Sequence, residues 1–301
     1  MDPAKGVASK ILASFLEWLK EQSNQATQPA VLYHFTDAAG LVGILGSNSI
    51  RASLVVSLND ASEVLYGLRV ARQVVERRQR NKNSAFLERA IHFLSNDSLF
   101  VANAKMPLTG EVHSFAFSLC DGIDSASHWF HYAHAGRGAA LGFTPSKLVP
   151  PGLMLTPVEY ETKVQETMIE EFLELVEAEL ARAPVAHLAE DTAGNLGGML
   201  FSCYMRILAS VFKAPSFSSE REWRLLNLQV RKSAESHVGT KFKTVDGRIV
   251  PFMEMNLTPG LVSKIVLGYS SPMQVNDHGL AMLMATAKMQ INVSKSEVPA
   301  R

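Results

Sequence analysis

Val112-His113-Ser114-Phe115-Ala116-Phe117-Ser118-Leu119 carries the two-residue period of a strand, with Ser114 and Ser118 on one face and Phe115 and Phe117 on the other. Its surroundings set the fold class. A short aromatic helix, Ser125 to His134, leads to two further strand patterns, Gly138 to Phe143 and Gly152 to Tyr160. Two long helical stretches come next, Thr162 to Ala183 and Asp191 to Phe212, with apolar residues at helical spacing such as Ile169, Phe172, Val176 and Leu200, Tyr204, Leu208. Strand patterns return at Glu222 to Gln229, in a hairpin turning at Asp246-Gly247, and at Ser263 to Leu267. A helix near Val275 to Ala287 and a strand at Gln290 to Val293 end the series. Strands come in runs and do not alternate regularly with helices. That order predicts α+β architecture with largely antiparallel sheets.

Upstream, Val7, Ile11, Leu12, Phe15, Trp18 and Leu19 form one apolar stripe, which predicts an amphipathic helix over about 5–22. Its polar face carries both signs of charge, so docking on the chain's own domain is favoured over a partner or membrane contact. A polar spacer, Ser23 to Gln28, separates this helix from the rest of the chain. The expected layout is an N-terminal helix and spacer, 1–28, then a single domain, 29–295, with a helical insertion at about 161–213. Within that domain, Ala30 to Thr36 reads as a strand, Asp37 caps a helix to about Leu45, and Ser49 to Ser53 reads as a second strand. Asp60 and Glu63 have capping-box spacing at the head of a helix whose stripe includes Val64, Leu68, Ala71 and Val75. That helix runs out through Arg77, Arg78, Arg80 and Lys82, which suit a solvated C-terminal end better than a phosphate contact.

Composition narrows the function. Among 301 residues, Lys plus Arg is 29 and Asp plus Glu is 29, a formal net charge of zero. Sequence-blind nucleic-acid binding as the main task would need a basic excess. Two cysteines are too few for a disulfide framework or a thiolate metal site. No apolar stretch reaches the roughly 18 residues of a membrane span, and a secretory signal is not expected. A cytoplasmic protein with no membrane partner is the expectation. Neither a dinucleotide-binding glycine fingerprint nor a phosphate-cradling GK[ST] loop occurs.

Three stretches carry polar or aromatic groups that packing alone does not require. In Leu32-Tyr33-His34-Phe35-Thr36-Asp37, His34 sits at a strand end beside a helix start, where it could hydrogen-bond a ligand. In the second, Ser114 to Ser118 precedes Trp129 and Tyr132, three apart on a helix and able to wall a flat ring. His128, His131 and His134 lie close by, but no carboxylate or cysteine completes a ligand spacing, so no metal is expected. In the third, Ser218-Ser219-Glu220-Arg221-Glu222-Trp223-Arg224, a strand would point Glu220, Glu222 and Arg224 one way, and two carboxylates beside an arginine are costly to bury without a task.

Together these stretches resemble an uncharacterised bacterial family of domain-of-unknown-function proteins assigned to the ADP-ribosyltransferase-like superfamily. The resemblance runs over about residues 30 to 270. It rests on LYHFTD and the helix after it, Ser57-Leu58-Asn59-Asp60 with Glu63, FSLCDG, Trp129, Tyr132, Gly138 to Phe143, and Lys213 with SEREWRLL. It implies a split antiparallel β-sandwich that grips NAD as a substrate, with flanking helices. By that resemblance His34, with Phe35 and Thr36, holds the ribose side, while Ser118, Trp129 and Tyr132 shape the nicotinamide pocket. Glu222 is the catalytic carboxylate, with Glu220 orienting the acceptor or serving as base. Arg51 and Arg224 are matched to the pyrophosphate by their forked donors. The implied activity is ADP-ribosyl transfer to an unknown acceptor, whether protein, nucleic acid or water. The alternative is an inactive nucleotide-binding sensor or interaction protein of the same fold, and a toxin or antiphage setting enters only by analogy.

Overall fold

A computed structural model describes residues 3–57, 62–95, 105–106, 110–149, 152–182, 190–231, 239–245 and 247–299. The chain runs α1 (Pro3–Gln25), β1 (Leu32–Thr36), α2 (Ala38–Ser47), β2 (Ser49–Leu54), α3 (Ser62–Asn81), α4 (Ala85–Leu94), β3 (Lys105–Met106) and β4 (Gly110–Cys120). It continues α5 (Ala126–Tyr132), β5 (Ala139–Phe143), β6 (Leu153–Pro157), α6 (Thr162–Arg182), α7 (Glu190–Ala209), β7 (Glu222–Arg231), β8 (Thr240–Val245), β9 (Arg248–Asn256), β10 (Val262–Leu267), α8 (His278–Thr286) and β11 (Asn292–Lys295). The architecture is α+β. Asp60 of the expected capping box and Asp246 of the expected hairpin turn lie outside the described residues.

The strand that decides the fold in sequence is also the hub of the sheet. One edge of β4 pairs with β7 from Glu111↔Arg231 to Cys120↔Glu222, and β7 in turn carries β6. The other edge is shared: β2 lies on Ala116 and Phe115, whereas β1 touches only at Tyr33↔Cys120. The sheet therefore forks along β4. One arm runs β1-β5-β10-β11 and the other β2-β9-β8, every pairing antiparallel except β10 with β11.

Alternation along β4 sends its side chains into two cores. Phe115, Phe117 and Leu119 join Trp223, Leu225, Leu141 and Phe143 beneath α2 and α8. On the opposite face Ala116 and Leu226 are covered by α1, α3, α4, α6 and α7, which pack on one another through Phe15, Val74, Leu87, Phe172 and Tyr204. The helices at 161–213 thus share one core with α1, α3 and α4. The stripe of α1 is consumed there, since Val7, Ile11, Phe15 and Leu19 are buried and the Phe15 and Phe172 ring centroids lie 4.7 Å apart. A partner contact through that face is corrected by this packing, because the face is already covered.

The basic end of α3 is also engaged. Arg78 pairs with Glu170 and Glu177 of α6 at 2.8 Å each, Arg77 with Glu166 at 3.4 Å and Lys82 with Glu177 at 3.1 Å. Two helix faces of opposite charge lie side by side, so these cations hold α6 and are not left for phosphates. Among the described residues no helix is long and apolar enough to cross a membrane.

Candidate functional site

The stretch from Ser218 to Arg224 does not enter as one strand. Pro215–Glu220 forms a 3₁₀ helix, Arg221 adopts the left-handed region (φ 45°), and β7 begins at Glu222. Strand alternation therefore does not place Glu220. The left-handed turn nonetheless returns its carboxylate to the neighbourhood of Glu222, and both meet Lys213.

Lys213 is held by its main chain. Its N–H donates to the Glu159 carbonyl at 3.0 Å and its carbonyl accepts from Gln165 Nε2 at 2.9 Å. Gln165 is fully buried, donates also to the Glu159 carbonyl at 2.7 Å, and accepts from the Tyr66 hydroxyl at 2.9 Å. With every polar atom of the Gln165 side chain paired, the backbone at 213 is fixed before any side-chain charge is considered.

The charges then close a ring of four. Arg224 donates from Nε to Glu222 Oε1 and from Nη2 to Glu222 Oε2, both at 2.9 Å. Its Nη2 also reaches Glu63 Oε2 at 2.6 Å. Glu63, in the first turn of α3, accepts on Oε1 from Lys213 Nζ at 2.9 Å, and Lys213 Nζ lies 3.3 Å from Glu222 Oε2. Glu220 stands outside this ring, held by Lys213 on Oε2 and by the Tyr132 hydroxyl on Oε1 at 2.9 Å.

Burial differs along the set. Arg224 is 1% exposed and Glu222 8%, whereas Glu220 is half-buried and Tyr132 exposed. Burial alone would push the Glu222 carboxyl up, but the Arg224 charge and hydrogen bonds, then Lys213 and the Ser118 hydroxyl, hold it down at about 2. Burial likewise opposes the charge on Lys213, and the surrounding carboxylates of Glu222 and Glu63 override it and raise its pKa. Although the Tyr132 ring is exposed, partial enclosure of its hydroxyl end and the Glu220 charge push its pKa up, so it remains a hydroxyl donor. The Tyr160 hydroxyl accepts the Glu222 N–H at 3.0 Å, and His128 Nε2 donates to the Glu220 carbonyl at 3.0 Å.

Glu220, Glu222, Arg224, Ser118 and Tyr132 therefore converge, while the remaining candidates do not join them. Tyr33, Cys120 and Glu222 share a face by register, and His34 points to the opposite one, its ring 4.3 Å from that of Phe117. His34 Nδ1 donates to the Ser118 carbonyl at 2.9 Å, which fills the crotch of the fork and leaves Nε2 as an acceptor. Burial holds its pKa at about 4, aided by the nearby Lys243 charge, so the ring is neutral at pH 7.

Phe35 and Trp129 are core residues: their rings meet edge to face at 4.8 Å, and Trp129 is fully buried. A wall built from Trp129 is corrected by this packing, because the turn of α5 that exposes Tyr132 points Trp129 inward. Thr36 is closely packed, with Gly40 and Gly138 against it; a Cβ at 138 would lie 2.1 Å from its carbonyl oxygen. Arg51 belongs to the other arm, 5.1 Å over the Phe252 ring and 4.0 Å from Glu254. Arg224 has four of its five N–H donors engaged, the fourth by the Ser210 carbonyl at 2.5 Å. Neither arginine is thus placed beside the other for one pyrophosphate.

Tyr160 and Gln165 enter the site without a sequence signal of their own, and Glu63 is part of the resemblance but carries no site role there. Glu63 reads as a helix cap, and Lys213 stands out only beside the SEREWRLL stretch. Among the described residues no group of three or more His, Cys, Asp or Glu side chains is arranged to hold a metal ion. The carboxylates are instead met by an ammonium and a guanidinium. Glu220 is the most open of the three carboxylates, its side chain 19% exposed against 13% for Glu63 and 9% for Glu222, with its oxygens met by Lys213 and the Tyr132 hydroxyl.

A family profile described as "Protein of unknown function (DUF2971)" matches residues 128–225. The matched stretch contains Tyr132, Tyr160, Lys213, Glu220, Glu222 and Arg224, and stops short of His34, Arg51, Glu63 and Ser118. The chain is similar to an uncharacterised domain over about a third of its length. No curated protein and no solved structure matches it.

Proposed function

We propose that the chain consumes NAD, cleaving the nicotinamide–ribose bond and passing ADP-ribose to a protein, a nucleic acid or water. One observation carries this reading: Glu222 is locked in a buried charge ring, and Glu220, linked to it through Lys213, is left half-open beside Tyr132. In the reaction the C1′–N bond breaks, its electron pair leaves with nicotinamide, and the acceptor's nucleophile bonds to C1′ as its proton passes to solvent. Positive charge builds on the ribose as the bond lengthens. A carboxylate whose position is already fixed stabilises that charge most where it is greatest, in the transition state. On this reading Glu220 meets the ribose, and Glu222 fixes Lys213 and with it the geometry of Glu220. A largely antiparallel sheet that forks along β4 supports the reading.

The test is nicotinamide release from NAD by purified protein, with and without cell lysate, beside Glu220→Gln. Release that Glu220→Gln abolishes without lowering the melting temperature supports the reading, and stimulation by lysate indicates transfer to an acceptor. Unchanged turnover removes Glu220 from the chemistry. A second reading, an inactive interaction protein of the same fold, is favoured by one observation: Arg224, Phe35 and Trp129, all matched to the cofactor, are enclosed in the fold. No NAD binding in calorimetry and no nicotinamide release support it, whereas NAD binding without release points to a nucleotide sensor.

A further inference from the structure

We infer that Glu63 is a positioning residue, whose charge keeps Lys213 and Arg224 balanced within the ring so that the negative charge of Glu220 remains available to a ligand. The kinetic half of this inference rests on the proposed NAD chemistry; the geometric half does not.

Glu63 bridges both cations, 2.9 Å from Lys213 Nζ and 2.6 Å from Arg224 Nη2. The ring of Glu63, Lys213, Glu222 and Arg224 holds two charges of each sign and is neutral. Glu220 then carries the unbalanced charge, at the most exposed carboxylate of the cluster, which the exposed Tyr132 holds from the surface side. Remove the charge of Glu63 and the ring becomes positive. Lys213, with one donor freed, turns more fully onto Glu220 and Glu222, and the Glu220 charge is neutralised inside the protein. At this burial such a redistribution is not screened away: the side chains of Lys213 and Arg224 are 6% and 2% exposed. The groups that face Glu63 are these two cations, while Glu220, Glu222, Tyr132 and Tyr160 surround Lys213.

Three proteins decide it: the wild type, Glu63→Gln and Glu63→Asp. Aspartate keeps the negative charge at position 63 and leaves Lys213, which fixes Glu220, in place. For nicotinamide release, Glu63→Gln is expected to lower kcat by about tenfold or more with KM within about twofold, and Glu63→Asp to retain most of the wild-type rate. A residue that only supports the fold gives no such order, since the shorter aspartate then does no better than glutamine. The geometric readout is a crystal structure of Glu63→Gln, where Lys213 Nζ is expected closer to Glu222 than its present 3.3 Å. Lys213 unmoved in Glu63→Gln, or Glu63→Asp no better than Glu63→Gln while both stay folded by circular dichroism, overturns the inference. If the wild type releases no nicotinamide, the NAD reading fails by itself and the Lys213 position still decides the role of Glu63.

Discussion

Arg224 grips Glu222 from two sides, Nε on one carboxylate oxygen and Nη2 on the other, each at 2.9 Å, although only Trp223 separates the two residues along β7. Neighbours on the same strand face meet this way when both are buried and neither has water to turn to. The pair sits opposite Ser118 and Cys120 of β4, at the end of the longest ladder in the sheet.

Glu222→Gln is expected to destabilise the fold, because Arg224 and Lys213 then face an amide where a charge stood. A broken buried pair of this kind costs roughly 3–5 kcal/mol. The acid limb gives a second signature. The folded Glu222 carboxyl titrates at about 2 against an ordinary 4.5. Its contribution is complete above about pH 4.5 and is lost as pH falls towards 2, an effect of about 3 kcal/mol. Urea unfolding at stepped pH checks this. The wild type should weaken across that window by more than the variant does, and parallel curves would refute the assignment.

His34 has the same sign in a higher pH window. It is a base whose folded pKa lies at about 4, below its ordinary 6.5, so the unfolded chain takes up its proton first as pH falls. Stability from this group is complete above about pH 6.5 and declines down to about pH 4, by up to about 3 kcal/mol. The His34 Cε1 resonance is expected to titrate with a midpoint near 4, and His34→Gln should flatten the stability profile between those limits. A midpoint near 6.5 would show an open ring at the fork.

Trp129→Phe separates packing from recognition. The indole is fully buried against Phe35, so the smaller ring should cost about 1–3 kcal/mol of stability through lost contact area. KM for NAD, or Kd if the protein binds without turnover, should stay within about twofold, since Trp129 lines no surface. A selective loss of affinity with the melting temperature unchanged would return Trp129 to the pocket.

The α+β class was legible because it depends on the order of periodic segments, which a sequence displays directly. The convergence of Glu220, Glu222 and Arg224 was legible for a poorer reason: strand alternation puts them on one face, yet Glu220 is not on the strand and reaches the site through the left-handed Arg221. Glu63 was visible as part of the resemblance, but its role was masked by its plausibility as a helix cap, since a carboxylate in the first turn already has a local explanation. Its partners Lys213 and Arg224 lie 150 and 161 positions away, and no local pattern reports such a pairing. Trp129 misled because three-residue spacing on a helix states a shared side and not which neighbours cover it. Phe35 covers Trp129, while Tyr132 lies beyond that cover.

The bend at Arg221 gives the two acids different mechanical footing. Glu222 is part of a ladder whose every displacement would have to be shared by β4 and β6, so it stays where the frame puts it. Glu220 ends a short 3₁₀ turn across a single joint from that frame, tied by Tyr132 and Lys213 and by the His128 bond to its carbonyl. A rotation at that joint swings one acid and leaves the other still, giving a fixed reference and a jaw that moves against it.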